Sequence, residues 1–152
     1  MKVGDPVPDI KVKDMNGKDI SLKDFKGKRL VVYFYPKDDT PGCTVEACSF
    51  RDNNEKIEKM GAKVIGISAD SIDSHKKFSS KHKLSFMLLS DNEHKLAEAF
   101  GVWKQKSFMG KKFFGIERST FIIDEKGKIA YIFQKVKPQG HAEQVIKVLG
   151  SL

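Results

Sequence analysis

The sequence is poor in cysteine and contains no long hydrophobic run. Only two of its 152 residues are cysteine, so a framework of disulfide bonds is excluded as the source of its stability. No stretch approaches the roughly 18 apolar residues that a membrane-spanning helix needs. The first residues also lack the apolar segment of a secretory signal peptide. These absences predict one domain over residues 1–152 that works in the reducing cytoplasm, without a membrane partner.

Acidic residues are outnumbered by basic ones. The chain has 28 Lys and Arg against 20 Asp and Glu, a net charge of +8. The lysines are spread along the whole chain and do not gather in one stripe, so we expect a solvated surface and no nucleic-acid partner.

Metal-ligand spacing is also missing. The two cysteines are separated by four residues, and the four histidines are scattered, so we expect no metal and no other cofactor. The histidines are His75, His82, His94 and His141. His141, near the start of the last predicted helix, is expected on the surface.

Strand-like and helix-like patterns alternate along the chain. The apolar run Leu30–Tyr35 is typical of a strand that is buried on both faces of a sheet. Further strands are predicted at 10–12 and 20–22 (a hairpin around Asn16-Gly17), 62–68, 86–89, 119–124 and 128–133, and helices at 41–60, 71–82, 92–100 and 141–149. Residues 102–117 are expected to form a long basic and aromatic loop. The alternation predicts an α/β fold with a central sheet flanked by helices, in which 30–35 and 62–68 are parallel neighbours.

The first cysteine lies at the end of the eight residues that follow this apolar strand. Thr40 is a preferred N-cap residue and Pro41 is favoured at the first helical position, so Cys43 falls in the first turn of a helix. Unpaired backbone amides and the positive end of the helix dipole favour a thiolate there. Pro36 has no N–H group and can wall the site without competing for hydrogen bonds. We therefore predict that Cys43 is a reactive nucleophile at the carboxyl end of a central strand.

The residues alone leave three kinds of function open. A peroxidase would use the reactive thiolate directly. A thioredoxin-like disulfide reductase would normally carry C-x-x-C, whereas Cys43 and Cys48 are spaced as C-x₄-C. A basic chaperone-like or nucleic-acid-binding protein would need neither thiol. The neighbouring Asp38 and Asp39 are expected to be solvated loop residues.

One string of residues resembles a known family. The pattern P-x-x-x-T-x-x-C, formed by Pro36, Thr40 and Cys43, resembles the peroxidatic signature of the peroxiredoxins. The likeness extends over TPGCTVEAC at 40–48, GVW at 101–103 and RSTFIID at 118–124, and it points to the bacterioferritin-comigratory, or Q-type, subfamily. The resemblance covers nearly the whole chain. It implies a thioredoxin-like fold with a mixed sheet and an N-terminal β-hairpin extension, and a thiol-dependent peroxidase that reduces hydrogen peroxide and organic hydroperoxides.

The resemblance also implies roles for individual residues. Cys43 would be the peroxidatic cysteine and Cys48 the resolving cysteine, joined in an intramolecular disulfide during turnover. Thr40 and Arg118 would hold the peroxide oxygens. The expected reductant is a thioredoxin-type protein, the expected role is antioxidant defence, and monomer and weak homodimer both stay open. Cα atoms five apart in a regular helix are roughly 8–9 Å from each other, so this disulfide would require local unwinding.

Two residues keep two interpretations each. Glu46 is either an acidic residue of the first helical turn, favoured by the dipole, or a residue that orients Arg118. Trp103 either packs in the core or, with the aromatic residues that follow it, forms a rim that excludes water from the substrate site.

Overall fold

The structure, a computed structural model, describes residues 1–152. Strands and helices follow one another in the order β1 (Val12–Asp14), β2 (Asp19–Ile20), β3 (Arg29–Phe34), α1 (Pro41–Lys59), β4 (Ala62–Ser68), α2 (Ile72–His82), β5 (Met87–Ser90), α3 (Lys95–Ala99), β6 (Trp103–Phe108), β7 (Lys111–Ile116), β8 (Ser119–Ile123), β9 (Ile129–Phe133) and α4 (His141–Ser151). The predicted α/β class is confirmed.

Seven strands form one mixed sheet in the order β2-β1-β5-β4-β3-β8-β9. β3 pairs in parallel with β4, with Val31 opposite Val64, as the sequence predicts. On its other side β3 pairs antiparallel with β8. The N-terminal hairpin of β1 and β2 joins the same sheet, because β1 pairs antiparallel with β5.

The apolar strand β3 divides the core into two halves. Val32 and Phe34 face the half that includes residues of α3, whereas Tyr33 and the following Tyr35 face the half that includes residues of α1, α2 and α4. All four side chains are completely buried. This alternation explains why the strand is apolar on both faces, and it places the start of α1 against Tyr33. None of the helices is both long enough and apolar enough to cross a bilayer.

Element ends differ from prediction by a few residues where side chains compete for backbone groups. Ser21 caps a short 3-10 helix over Leu22–Phe25, so the first hairpin ends at Ile20 and not at residue 22. Asp91 does bind amides of α3, those of Leu96 and Ala97, yet the helix begins only at Lys95.

The predicted loop over 102–117 is wrong, because most of it forms the two-stranded hairpin β6–β7. The turn residues Met109 and Gly110 have φ angles of 52° and 80°, as a tight hairpin requires. Phe108 and Phe114 on this hairpin are largely exposed. A ribbon with aromatic and lysine side chains in solvent lacks the buried face that makes a strand recognisable in sequence.

Candidate active site

Cys43 is the third residue of α1, at the carboxyl end of β3. Its side chain is buried, with 1% of the residue exposed, and its thiol is free. Sγ accepts a hydrogen bond from Nη2 of Arg118 at 3.4 Å. The fold thus brings together two candidate site residues that are 75 positions apart in the chain.

Glu46 fixes the orientation of Arg118. Nη1 of Arg118 donates to Oε1 of Glu46 at 2.7 Å, and Glu46 is completely buried. Glu46 lies beyond the first turn of α1, which contains no acidic residue, so the interpretation as a first-turn acid is wrong. One guanidinium group therefore bridges a buried carboxylate and the sulfur of Cys43.

Burial governs the charge of this pair. It raises the pKa of Glu46 to about 7, because loss of hydration outweighs the attraction of Arg118. Burial by itself lowers the pKa of Arg118, but Glu46 and Cys43 reverse that effect and leave this pKa above its ordinary value. Arg118 thus keeps its charge beside the sulfur, whereas the pKa of Glu46 lies close to neutral pH.

Gly42 makes room for Arg118, a role that was not predicted from the sequence. A Cβ atom at this position would lie 3.1 Å from Nη2 of Arg118 and 3.3 Å from Cγ of Pro138. A larger side chain at this position would therefore crowd the guanidinium group and the ring of Pro138. The only sequence signal is the position of this glycine immediately before Cys43.

Thr40 occupies the N-cap position of α1, as predicted, but it forms no side-chain cap bond. Its hydroxyl donates instead to the carbonyl oxygen of Lys37 at 2.9 Å. The turn after Pro36 brings this carbonyl within reach of the side chain. The first turn of α1 is left without a side-chain acceptor for its amides.

Cys48 lies on the same helix and is partly exposed, with a free thiol. Because α1 is regular from Pro41 to Lys59, the two cysteine Cα atoms are roughly 8–9 Å apart. A disulfide requires about 4.4–6.8 Å. The two sulfurs cannot bond in this conformation.

Trp103 has neighbours of its own. Its ring stacks on His94 with centroids 4.1 Å apart, and it packs against the core half that faces α3. Cys43 belongs to the other half. A role for Trp103 at the substrate site stays a prediction.

Two expectations about polar residues are wrong. His141 is completely buried, and its Nε2 lies 2.7 Å from Oγ1 of Thr120; burial lowers the pKa of His141. Asp38 is also buried and hydrogen-bonded, whereas Asp39 is exposed as predicted. In both cases the partners come from distant segments, so local sequence gives no sign of burial.

His75 is less isolated than its sequence position suggests. Ligand-type atoms of Asp38, Asp70 and His75 lie within 4.8 Å of one another. These atoms already bond to protein groups, so the cluster is a hydrogen-bond network.

Known proteins are similar to this chain along most of its length. The model of the AhpC/TSA family matches residues 3–132. Peroxiredoxin Bcp of Bacillus subtilis (strain 168) is 50% identical over 149 residues, covering 98% of this chain and 95% of the relative. Peroxiredoxin Bcp of Escherichia coli (strain K12) is 46% identical over 149 residues, covering 98% and 96%.

Solved structures show the same fold. The bacterioferritin comigratory protein of Xanthomonas campestris superposes with a TM-score of 0.92 at 39% identity, covering 99% of this chain and 98% of that one. A cysteine-to-serine mutant of Xylella fastidiosa PrxQ gives a TM-score of 0.94 at 36% identity, covering 99% and 96%. The predicted thioredoxin-like fold is confirmed. With a thiol and an arginine joined at the end of a central strand, and with relatives of this similarity along its whole length, the chain belongs to the AhpC/TSA family and is a peroxiredoxin, a thiol-dependent peroxidase, of the Bcp group.

Proposed function

We propose that Cys43 is the peroxidatic nucleophile of this peroxidase and that Arg118 activates it. The observation that carries the proposal is the double contact of Arg118, at 3.4 Å from Sγ of Cys43 and 2.7 Å from Oε1 of Glu46. A guanidinium group held by a second partner is a fixed positive charge with several donors. It stabilises negative charge on the attacking sulfur and on the departing oxygen during the reaction.

The chemical step transfers one oxygen atom to sulfur. The thiolate of Cys43 attacks the terminal oxygen of ROOH, the O–O bond breaks, and RO⁻ leaves and takes up a proton to give an alcohol or water. Cys43 becomes a sulfenic acid. Arg118 and the backbone amide of Cys43 are the donors for the oxygens.

Thr40 has a complementary part in this step. Because its hydroxyl hydrogen is used on the carbonyl of Lys37, the oxygen offers lone pairs to the peroxide. Thr40 therefore accepts the hydrogen bond of the ROO–H group while Arg118 donates from the other side. Pro36 begins this loop and offers no competing N–H group.

Cys48 completes the cycle as the resolving cysteine. Its thiol attacks the sulfenic sulfur of Cys43, water leaves, and an intramolecular disulfide forms. The first turns of α1 unwind for this step, because the regular helix holds the two cysteines too far apart. The missing side-chain cap at Thr40 supports such opening.

A thioredoxin-type dithiol then reduces the disulfide by thiol–disulfide exchange. We propose hydrogen peroxide and organic hydroperoxides as substrates; the Xanthomonas campestris relative is itself described with alkyl peroxide reduction activity. The two free thiols fit a reducing compartment such as the cytoplasm. We further propose that the protein works as a monomer or a weak homodimer, which sedimentation at increasing concentration tests.

Rapid mixing of the reduced protein with peroxide tests the proposal. The wild-type protein should lose two thiols per peroxide and form an intramolecular disulfide. Cys48→Ser should lose one thiol and accumulate a sulfenic acid that dimedone traps, whereas Cys43→Ser should react no faster than a free thiol. Rapid oxidation of Cys43→Ser would refute the assignment, and unchanged disulfide formation after Cys48→Ser would refute the resolving role.

A further inference from the structure

A buried polar network lies behind the loop that carries the active site. Asp38, two residues before Thr40, accepts hydrogen bonds from Tyr35 at 2.6 Å and from Ser74 at 2.8 Å. Its Oδ2 lies 2.7 Å from Nδ1 of His75. The side chains of His75 and Asp38 are 0% and 3% exposed. None of these contacts takes part in the mechanism described above.

The partners of His75 determine where its protons are. Nε2 lies 3.0 Å from the carbonyl oxygen of Leu89, which can only accept, so Nε2 carries a hydrogen. Nδ1 faces Asp38, whose two oxygens already accept from Tyr35 and Ser74. His75 thus links two partners, the carboxyl group of Asp38 and the backbone carbonyl of Leu89.

The same network holds the backbone of the catalytic loop. The amide of Asp38 donates to Oδ2 of Asp70 at 2.8 Å, and the hydroxyl of Ser68 donates to the same oxygen at 2.6 Å. The next residue, Asp39, has a left-handed φ of 60° and pairs with Lys81 of α2 at 3.0 Å. Both loop carboxylates are thus tied to α2, and the backbone turns sharply between them into Thr40 and α1.

We propose that His75 is a positioning residue for the peroxidase reaction. Through its hydrogen bond to Asp38 it holds the loop that sets the Thr40 oxygen and the Cys43 amide opposite Arg118. His75 touches neither the sulfur nor the peroxide. Its effect falls on the orientation of the peroxide and leaves the intrinsic reactivity of the sulfur unchanged. This inference rests on the assignment of Cys43 as the nucleophile.

Two amide variants separate the two hydrogen bonds of His75. In His75→Asn the side-chain nitrogen replaces Nδ1, keeping a donor for Asp38 and losing the bond to Leu89. In His75→Gln the nitrogen replaces Nε2, keeping the bond to Leu89 and losing the one to Asp38. We expect the Asn variant to react with peroxide roughly tenfold faster than the Gln variant, which retains the less important bond.

Alkylation of Cys43 by iodoacetamide, in a Cys48→Ser background, separates positioning from a general loss of structure. Alkylation needs the sulfur but no bound peroxide, so its rate should stay within about threefold of the unsubstituted protein in both variants. Equal peroxide rates for the two variants, or parallel changes in both reactions, would overturn the proposal. If the Gln variant does not fold, Asp38→Asn replaces it, and a peroxide rate within about threefold of wild type would overturn the proposal equally. The wild-type protein is measured in the same series. Its rapid reaction with peroxide would support the proposed role of Cys43 even if the His75 proposal fails.

Discussion

Two buried carboxyl groups, those of Asp38 and Glu46, lie before and after the segment from Thr40 to Cys43. They differ in how many hydrogen bonds their oxygens accept. Asp38 precedes Thr40 and has donors on both of its oxygens. Glu46 follows Cys43 and has one partner, Arg118, while its Oε2 has none. The comparison shows that the role of a buried carboxyl group depends on its hydrogen-bond partners as well as on its burial. Asp38, which is fully hydrogen-bonded, ties the loop to α2. Glu46, which has one free oxygen, binds Arg118 and has a pKa of about 7.

Of the changes near these two carboxyl groups, removal of Arg118 should have the largest effect, and it should fall on the rate of reaction with peroxide. Arg118→Ala takes away the only partner of Glu46 and the donor to Cys43, so the peroxide rate should fall by about 10²–10³-fold. Arg118→Lys is the matched control, which keeps the charge but loses the fork of donors, and should recover only part of the rate. Stopped-flow oxidation measures both. An alanine variant within tenfold of wild type would contradict the role of Arg118.

Neutralising the satisfied carboxylate should destabilise the protein. Asp38→Asn keeps the size of the side chain but cannot accept from all three donors, so the free energy of unfolding should fall by about 1–3 kcal/mol. Urea unfolding followed by circular dichroism measures the change. Asp91→Asn, a buried carboxylate that binds two amides of α3, is the control for a loss of similar size with an unchanged peroxide rate.

Neutralising the half-satisfied carboxylate should change how the stability of the protein depends on pH. The folded protein raises the pKa of Glu46 from 4.5 to about 7, so the stability contributed by its protonated form is complete below pH 4.5 and is lost as the pH rises through 7. Glu46→Gln has no such loss. The free energy of unfolding of Glu46→Gln, relative to that of wild type, should therefore rise by on the order of 1–3 kcal/mol between pH 5 and pH 8.

Thermal unfolding at these two pH values provides the measurement for Glu46→Gln. A difference between variant and wild type that is the same at both pH values would show that Glu46 does not titrate in this range. The variant should also react more slowly with peroxide, because a neutral amide holds Arg118 less firmly.

The exposed neighbour of Asp38 should show the smallest effect. Asp39 pairs with Lys81 at the surface, which lowers the pKa of Asp39, but such pairs contribute little in water. Asp39→Asn should leave Tm within about 1 °C of wild type and the peroxide rate unchanged within error. A marked loss in either would mean that the left-handed turn at this position depends on the ion pair.

The sequence predicted what local chemistry encodes. β3 followed from an uninterrupted apolar run, and the start of α1, with Cys43 in its first turn, followed from Thr40 and Pro41. Arg118 came from the family likeness, since nothing near it in sequence indicates Cys43.

Features made by distant segments could not be predicted. The burial of Asp38 depends on His75, 37 positions away, and that of His141 on Thr120, 21 positions away. The hairpin β6–β7 was missed for a different reason: its side chains lie largely in solvent and carry no two-sided pattern. Gly42 shows its importance only when the guanidinium group beside it is seen.

The uncapped start of α1 has a kinetic consequence for the proposed cycle. A side-chain cap stabilises a helix end by about 1 kcal/mol, which changes an opening equilibrium by a factor of about five. By using its hydroxyl on Lys37, Thr40 leaves the segment from Pro41 to Cys48 that much more often frayed. In the proposed cycle, the contact that leaves a lone pair of Thr40 free for the peroxide would therefore also speed disulfide formation between Cys43 and Cys48.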